Sequence, residues 1–156
     1  MSLILATGTN LGDKVSHLNE VKNLLSQKLE LIAFSEIFES KAVDYLDQPN
    51  FFNQVLEFKI PNQNPSELMT CLLDIETSMG RVRDISKGPR TVDIDIIFWG
   101  REEFNNALVT IPHPRWAQRS FVVRPMQQLP FFQTIKKCFK IPTQFDVEAY
   151  PINKKA

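Results

Sequence analysis

Apolar positions recur along this chain in two rhythms. Residues 2–7 (SLILAT) form a short apolar run ending at Gly8, which suits a buried strand. The turn-rich segment TGTNLGD follows, and Asp13 is placed to cap a helix that begins at Lys14. Val15, Leu18, Val21, Leu24, Leu25 and Leu29 return at helical spacing, so residues 14–29 are predicted to form an amphipathic helix. Residues 31–39 (LIAFSEIFE) and 51–60 (FFNQVLEFKI) read as strands on either side of a polar, loop-like stretch, and Pro61 ends the second.

Asn64-Pro65-Ser66-Glu67 opens a second helix, with Asn64 as N-cap, Pro65 at the first helical position and Glu67 as the capping-box carboxylate. Leu68, Leu72, Ile75 and Met79 give its apolar stripe and Gly80 stops it. A charged loop, residues 81–90, leads into TVDIDIIF, whose strict alternation predicts a strand over residues 91–98. The order βαββαβ predicts an α+β, ferredoxin-like antiparallel sheet with helices on one face. The proline-punctuated remainder from Trp99 is expected to add short helices and loops.

The length of 156 residues then sets one domain over 1–156. Eighteen basic residues balance eighteen acidic ones, which argues against a nucleic-acid binder, whose affinity rests on phosphate neutralisation. No apolar stretch of about 18 residues exists, so no membrane span is expected. Cys71 and Cys138 have no partner at metal-ligand spacing and read as two buried thiols in a reducing compartment. The expectation is a soluble, cytoplasmic protein.

Charge is nevertheless segregated. All seven arginines fall between Arg81 and Arg124. Arginine grips phosphate or carboxylate with two parallel donors, so the clustering points to an anionic ligand. Asp93 and Asp95 lie two apart on the strand, which puts both carboxylates on one face, with Val92, Ile94, Ile96 and Phe98 expected on the other. Two acids on a half-buried strand need neutralising, and magnesium takes one or two carboxylates while filling its other sites with water and phosphate oxygens. D-x-D alone fits a solvent-facing strand equally well. The neighbouring Arg81, Arg83, Lys87 and Arg90 favour the polyphosphate reading. No glycine-rich phosphate loop is present, so side chains are expected to do the holding.

Four segments resemble one known family. ATGTNLGD, DQPNFFNQVLEF, GRVRDISKGPRTVDIDIIFWG and IPHPRWAQRSFVVRPMQQL are similar, in this order, to motifs of 6-hydroxymethyl-7,8-dihydropterin pyrophosphokinases. They span residues 6–129. The resemblance implies an enzyme that moves a pyrophosphoryl group from ATP to the hydroxymethyl of a reduced pterin and releases AMP, in folate biosynthesis. It implies two magnesium ions on Asp93 and Asp95, with Arg81 and Arg90 as catalytic phosphate-binding arginines. Glu76, Arg83, His113 and Arg119 fall where the family contacts the nucleotide. Asn10, Phe51, Asn53 and Phe121 fall at the pterin site, the two rings as stacking partners.

Taken alone, Glu76 reads as a surface charge, Phe52 as core and His17 as a surface residue. Two loops depart from the family pattern. Ser40, Lys41, Ala42, Val43 and Asp44 stand where T-P-P-x-G is usual, and Ser86-Lys87 where R-W is usual. These departures imply a change of rate or of substrate choice. A paralogue acting on another pterin-like alcohol is therefore an alternative, and a non-catalytic ferredoxin-like binding module is a second. No nucleic-acid or membrane partner is expected, and the protein is expected to be a monomer.

Overall fold

The computed structural model describes residues 1–42, 48–80 and 91–153. Arg81, Arg83, Ser86, Lys87 and Arg90, and Val43 and Asp44 of the first altered loop, lie outside the described residues. The elements run β1 (Ser2–Thr9), α1 (Lys14–Lys28), β2 (Leu31–Phe34), β3 (Phe38–Ser40), β4 (Phe51–Lys59), α2 (Pro65–Ser78), β5 (Asp93–Trp99), β6 (Phe104–Asn105), β7 (Thr110–Ile111), α3 (Ser120–Met126), α4 (Phe132–Cys138) and β8 (Tyr150–Pro151).

The predicted helix starts are built as their sequences dictate. The Asp13 carboxylate accepts the Ser16 N–H, and Asn64 and Glu67 form a complete capping box. Gly80 follows α2 at φ +89°, a conformation open to glycine at a helix end. The single strand expected over residues 31–39 is instead two, β2 and β3, both paired with β4. Between them the Ser35 hydroxyl accepts the Val55 N–H, so a side chain replaces ladder bonding at the break.

The main sheet has the order β5-β1-β4-β3-β8, with β2 also on β4, and every pair is antiparallel. β5-β1-β4 flanked by β2 and β3 is the ferredoxin-like arrangement, because each helix connects strands that leave one place between them. Leu3, Leu5, Leu56, Phe58, Ile94 and Ile96 face α1 and α2. The opposite face is not bare. Ile4, Val55, Ile97 and Phe98 pack against Trp116, α3 and α4, so the helices after β5 form a third layer.

That layer depends on a break in the β5 alternation. Ile4 pairs with Phe98 but Leu5 with Ile96, so Ile97 is an extra residue, a β-bulge. The bulge turns Phe98 away from Ile94 and Ile96, opposite to the face expected from strict alternation, and returns Trp99 to it. Other sequence expectations are corrected by packing. Glu76 is buried, not a surface charge. Phe52 is half-buried with the Lys14 ammonium 4.9 Å from its ring centre, and His17 is half-buried. Cys71 is half-buried and Cys138 exposed, so neither is a core thiol. Among the described residues no helix is long and apolar enough to cross a membrane.

Candidate active site

A cleft of about 480 Å³ opens on the sheet face shared with α3. Its floor is the end of β1. Ala6 and Gly8, two apart, present the smallest side chains of that strand. Asp95 lies opposite Ala6 and Asp93 opposite Gly8 on one side, while Asn53 lies opposite Gly8 on the other. Paired residues of an antiparallel ladder share a face. At about 4.8 Å per strand step, the Asp93 and Asn53 backbones stand roughly 10 Å apart across a floor of small residues.

Gly8 is needed there for contact, since a Cβ at this position would lie 2.6 Å from the Asn53 amide nitrogen. The Asn53 side chain is thus drawn down onto β1, and its oxygen accepts from the Ser40 hydroxyl at 3.4 Å. Phe51, two residues along and opposite Ser40, lines the same cleft. Phe121, in the first turn of α3, lines it from above.

The acid pair has basic neighbours. Arg119 sits with its guanidinium 3.9 Å from the Asp95 carboxylate and 5.5 Å from the Phe121 ring centre. It therefore stands between the carboxylate end and the aromatic end. His113 is fixed by two backbone bonds. Its N–H donates to the carbonyl of Ile97, the bulge residue, and its Nδ1 accepts from the Arg115 N–H at 3.1 Å. With Nδ1 accepting, the ring proton is on Nε2, leaving an N–H donor. Burial, then the Arg119 and Arg115 charges, push the His113 pKa down to about 4, against the opposing pull of Asp93. The imidazole is neutral at pH 7.

Asp93 and Asp95 fit magnesium by the chemistry of the set. They are hard oxygen donors on one strand face, open to the cleft, with room for a polyanion to complete the shell. Among the described residues no group of three or more His, Cys, Asp or Glu forms a closed metal cage.

Asp93, Asp95, His113, Arg119, Phe51, Asn53 and Phe121, all predicted from the sequence, line this one cleft. Two others do not. Glu76, at the end of α2, accepts the Ile94 N–H at 2.7 Å, so it holds β5 between its two aspartates. Asn10 is buried and donates to Gln48 Oε1 at 2.7 Å and to the Pro49 carbonyl at 3.2 Å. It ties β1 to the segment entering β4, from which Gln48 reaches the cleft. Arg81, Arg83 and Arg90 lie outside the described residues. The cleft also includes Gly8, Lys41, Arg115, Gln118 and Asp146, to which the sequence assigned no role. Arg115 carried a signal as one of the clustered arginines, and Gly8 as the second of two small residues at period two among large apolar ones.

A sequence profile described as 7,8-dihydro-6-hydroxymethylpterin-pyrophosphokinase (HPPK) matches residues 4–130. The chain is 36% identical over 127 residues to the 2-amino-4-hydroxy-6-hydroxymethyldihydropteridine pyrophosphokinase of Bacillus subtilis, covering 80% of this chain and 75% of that protein. It is 34% identical over 128 residues to the protein of the same name from Aquifex aeolicus, covering 82% and 79%. It is 36% identical over 126 residues to the folic acid synthesis protein fol1 of Pneumocystis carinii. There the match covers 80% of this chain but only 17% of that longer protein.

Proposed function

The chain belongs to the 7,8-dihydro-6-hydroxymethylpterin-pyrophosphokinase family and is a pyrophosphokinase; on that premise we propose that it transfers pyrophosphate from ATP to 6-hydroxymethyl-7,8-dihydropterin in folate synthesis. The hydroxymethyl oxygen attacks the β-phosphorus, the bond from that phosphorus to the α–β bridging oxygen breaks, and AMP leaves. The hydroxyl proton passes to solvent. The observation that carries this reading is the arrangement of one cleft, with paired carboxylates at one end, aromatic rings and an asparagine at the other, and Arg119 between them.

Asp93 and Asp95 are the residues to hold magnesium, two ions by the family resemblance, and the metal supplies neutralising charge to the phosphate oxygens when bound. The protein's own groups do the rest. Arg119 and Arg115 offer guanidinium donors to the triphosphate, and the His113 Nε2–H donates without adding charge. Arg81, Arg83 and Arg90 are proposed for the same triphosphate on the strength of their motif. Phe51 and Phe121 provide apolar faces for the flat pterin, and Asn53 fixes its orientation through an amide held by Ser40. Family membership sets aside the non-catalytic binding module. Lys41, which lines the cleft where the family pattern is broken, supports the alternative of another pterin-like alcohol as acceptor.

The test is direct. Protein, ATP, magnesium and 6-hydroxymethyl-7,8-dihydropterin should yield AMP and the pterin pyrophosphate in equal amounts, and chelation of magnesium should stop both. Release of ADP in place of AMP, or product only with a different pterin alcohol, would overturn the reading.

A further inference from the structure

The family profile ends at residue 130, yet Asp146 and Val147 line the cleft. They are carried by a strap that is tied down at several points. Arg124, on α3, makes a two-pronged pair with Glu148, Nε to Oε1 at 2.9 Å and Nη2 to Oε2 at 3.2 Å. The same Nη2 donates to the Thr143 carbonyl at 2.9 Å, and the guanidinium lies 5.1 Å from the Phe145 ring centre. The Ser120 hydroxyl donates to the Val147 carbonyl. Beyond it, β8 pairs with β3 and the Ile152 N–H donates to the Ile37 carbonyl. A charge-assisted fork with added backbone bonds holds a segment in one geometry.

The place of the strap in the sheet order decides what Asp146 meets. β3 is three strand steps from β5, roughly 14 Å, so the strap lies across the cleft from Asp93 and Asp95. It runs beside β3 and the first turn of α3, where Ser40, Asn53 and Phe121 line the ring-binding end. Asp146 brings a carboxylate to that end of the cleft. Ionised, it has acceptor oxygens and no donor. The matching ligand edge is two adjacent N–H donors, which a 2-amino-4-oxo pteridine carries at its amino group and N3.

We propose that Asp146 is a specificity-determining residue that accepts hydrogen bonds from the amino edge of the pterin, and that the Arg124–Glu148 fork is the positioning element that brings it there. This rests on the function proposed above. It implies that part of substrate choice is written in residues beyond the shared motifs.

Calorimetry tests it on the full chain, with magnesium and a non-hydrolysable ATP analogue present. The ligands are 6-hydroxymethylpterin and 6-hydroxymethyllumazine, which carries an oxo group in place of the amine. Asp146 is exposed, so Asp146→Ala should fold normally. It should weaken pterin binding about tenfold, as loss of hydrogen bonds to a charged acceptor does, while leaving the ATP analogue unchanged and weakening lumazine, which keeps only the N3–H donor, much less. Arg124→Ala should weaken pterin binding in the wild type and add little on top of Asp146→Ala, a coupling that simple destabilisation would not produce. Unchanged pterin affinity in Asp146→Ala, with the wild type binding pterin, overturns this proposal alone. A wild-type protein that binds no pterin overturns the proposed function and this inference together.

Discussion

Gly8 shows how one missing atom shapes the site. Its Cα faces the Asn53 amide so closely that an added methyl would lie 2.6 Å from the amide nitrogen. The backbone there is paired on both sides and cannot retreat easily. Gly8→Ala should therefore push Asn53 off the floor, costing about 1–3 kcal/mol of stability through overpacking. Pterin affinity should fall and ATP affinity should hold, and titration with each ligand reads the difference. Equal loss of both would mean that the whole sheet had shifted. His113 makes a second residue-scale prediction. Its pKa lies at about 4 in the fold and near 6.5 when unfolded. The unfolded state thus binds the extra proton first, and stability falls as pH drops from about 6.5 toward 4. His113→Asn keeps an oxygen for the Arg115 N–H and cannot titrate. Urea melts across that range should fall less steeply for the variant, and parallel curves would show that His113 is not buried in its neutral form.

At the scale of elements, β5 is held from three directions. Its bulge at Ile97 sends Ile94 and Ile96 to one core and Phe98 to the other, and the Ile97 carbonyl fixes His113. From α2, Glu76 accepts the Ile94 N–H midway between the two aspartates. A helix end and a strand are thereby locked in register at Asp93 and Asp95. Removing the acceptor leaves a buried N–H without its bond, at a cost of about 1–3 kcal/mol. Glu76→Ala should show that loss in denaturant unfolding and also slow turnover, whereas Glu76→Gln, which retains an oxygen, should lose much less stability. Equal losses would mean that charge, not the hydrogen bond, secures the strand. The resemblance placed Glu76 beside the nucleotide, and the structure adds a reason for a carboxylate here that spacing along α2 does not reveal.

For the whole molecule, the sheet has a packed core on each face, and both lean on the same strands. Ile4 and Leu5, adjacent on β1, serve opposite cores. Met126→Ala on α3 and Leu72→Ala on α2 should each cost about 2–5 kcal/mol, because each empties a fully buried site. Both should unfold in one transition, and a separate early transition in Met126→Ala would show that the third layer melts alone. The sequence by itself determined the local matters: which segments are helices, where they are capped, that Asp93 and Asp95 share a face, and, through four motifs, the family. These follow from short-range rules in which a residue and its neighbours at i+2, i+3 or i+4 suffice. Tertiary structure decided the rest. The splitting of β2 from β3, the bulge that turns Phe98, the burial of Glu76, the Gly8–Asn53 contact and the arrival of Asp146 in the cleft of Asn53 and Phe121 all depend on which strands become neighbours. Gly8 and Asn53 are 45 positions apart in sequence and touch because β1 and β4 pair in one register. Asp146 follows Asn53 by 93 positions and reaches the same cleft because Arg124 and β3 hold the strap. No local pattern records such meetings, since they are set by the packing of distant segments against a common sheet.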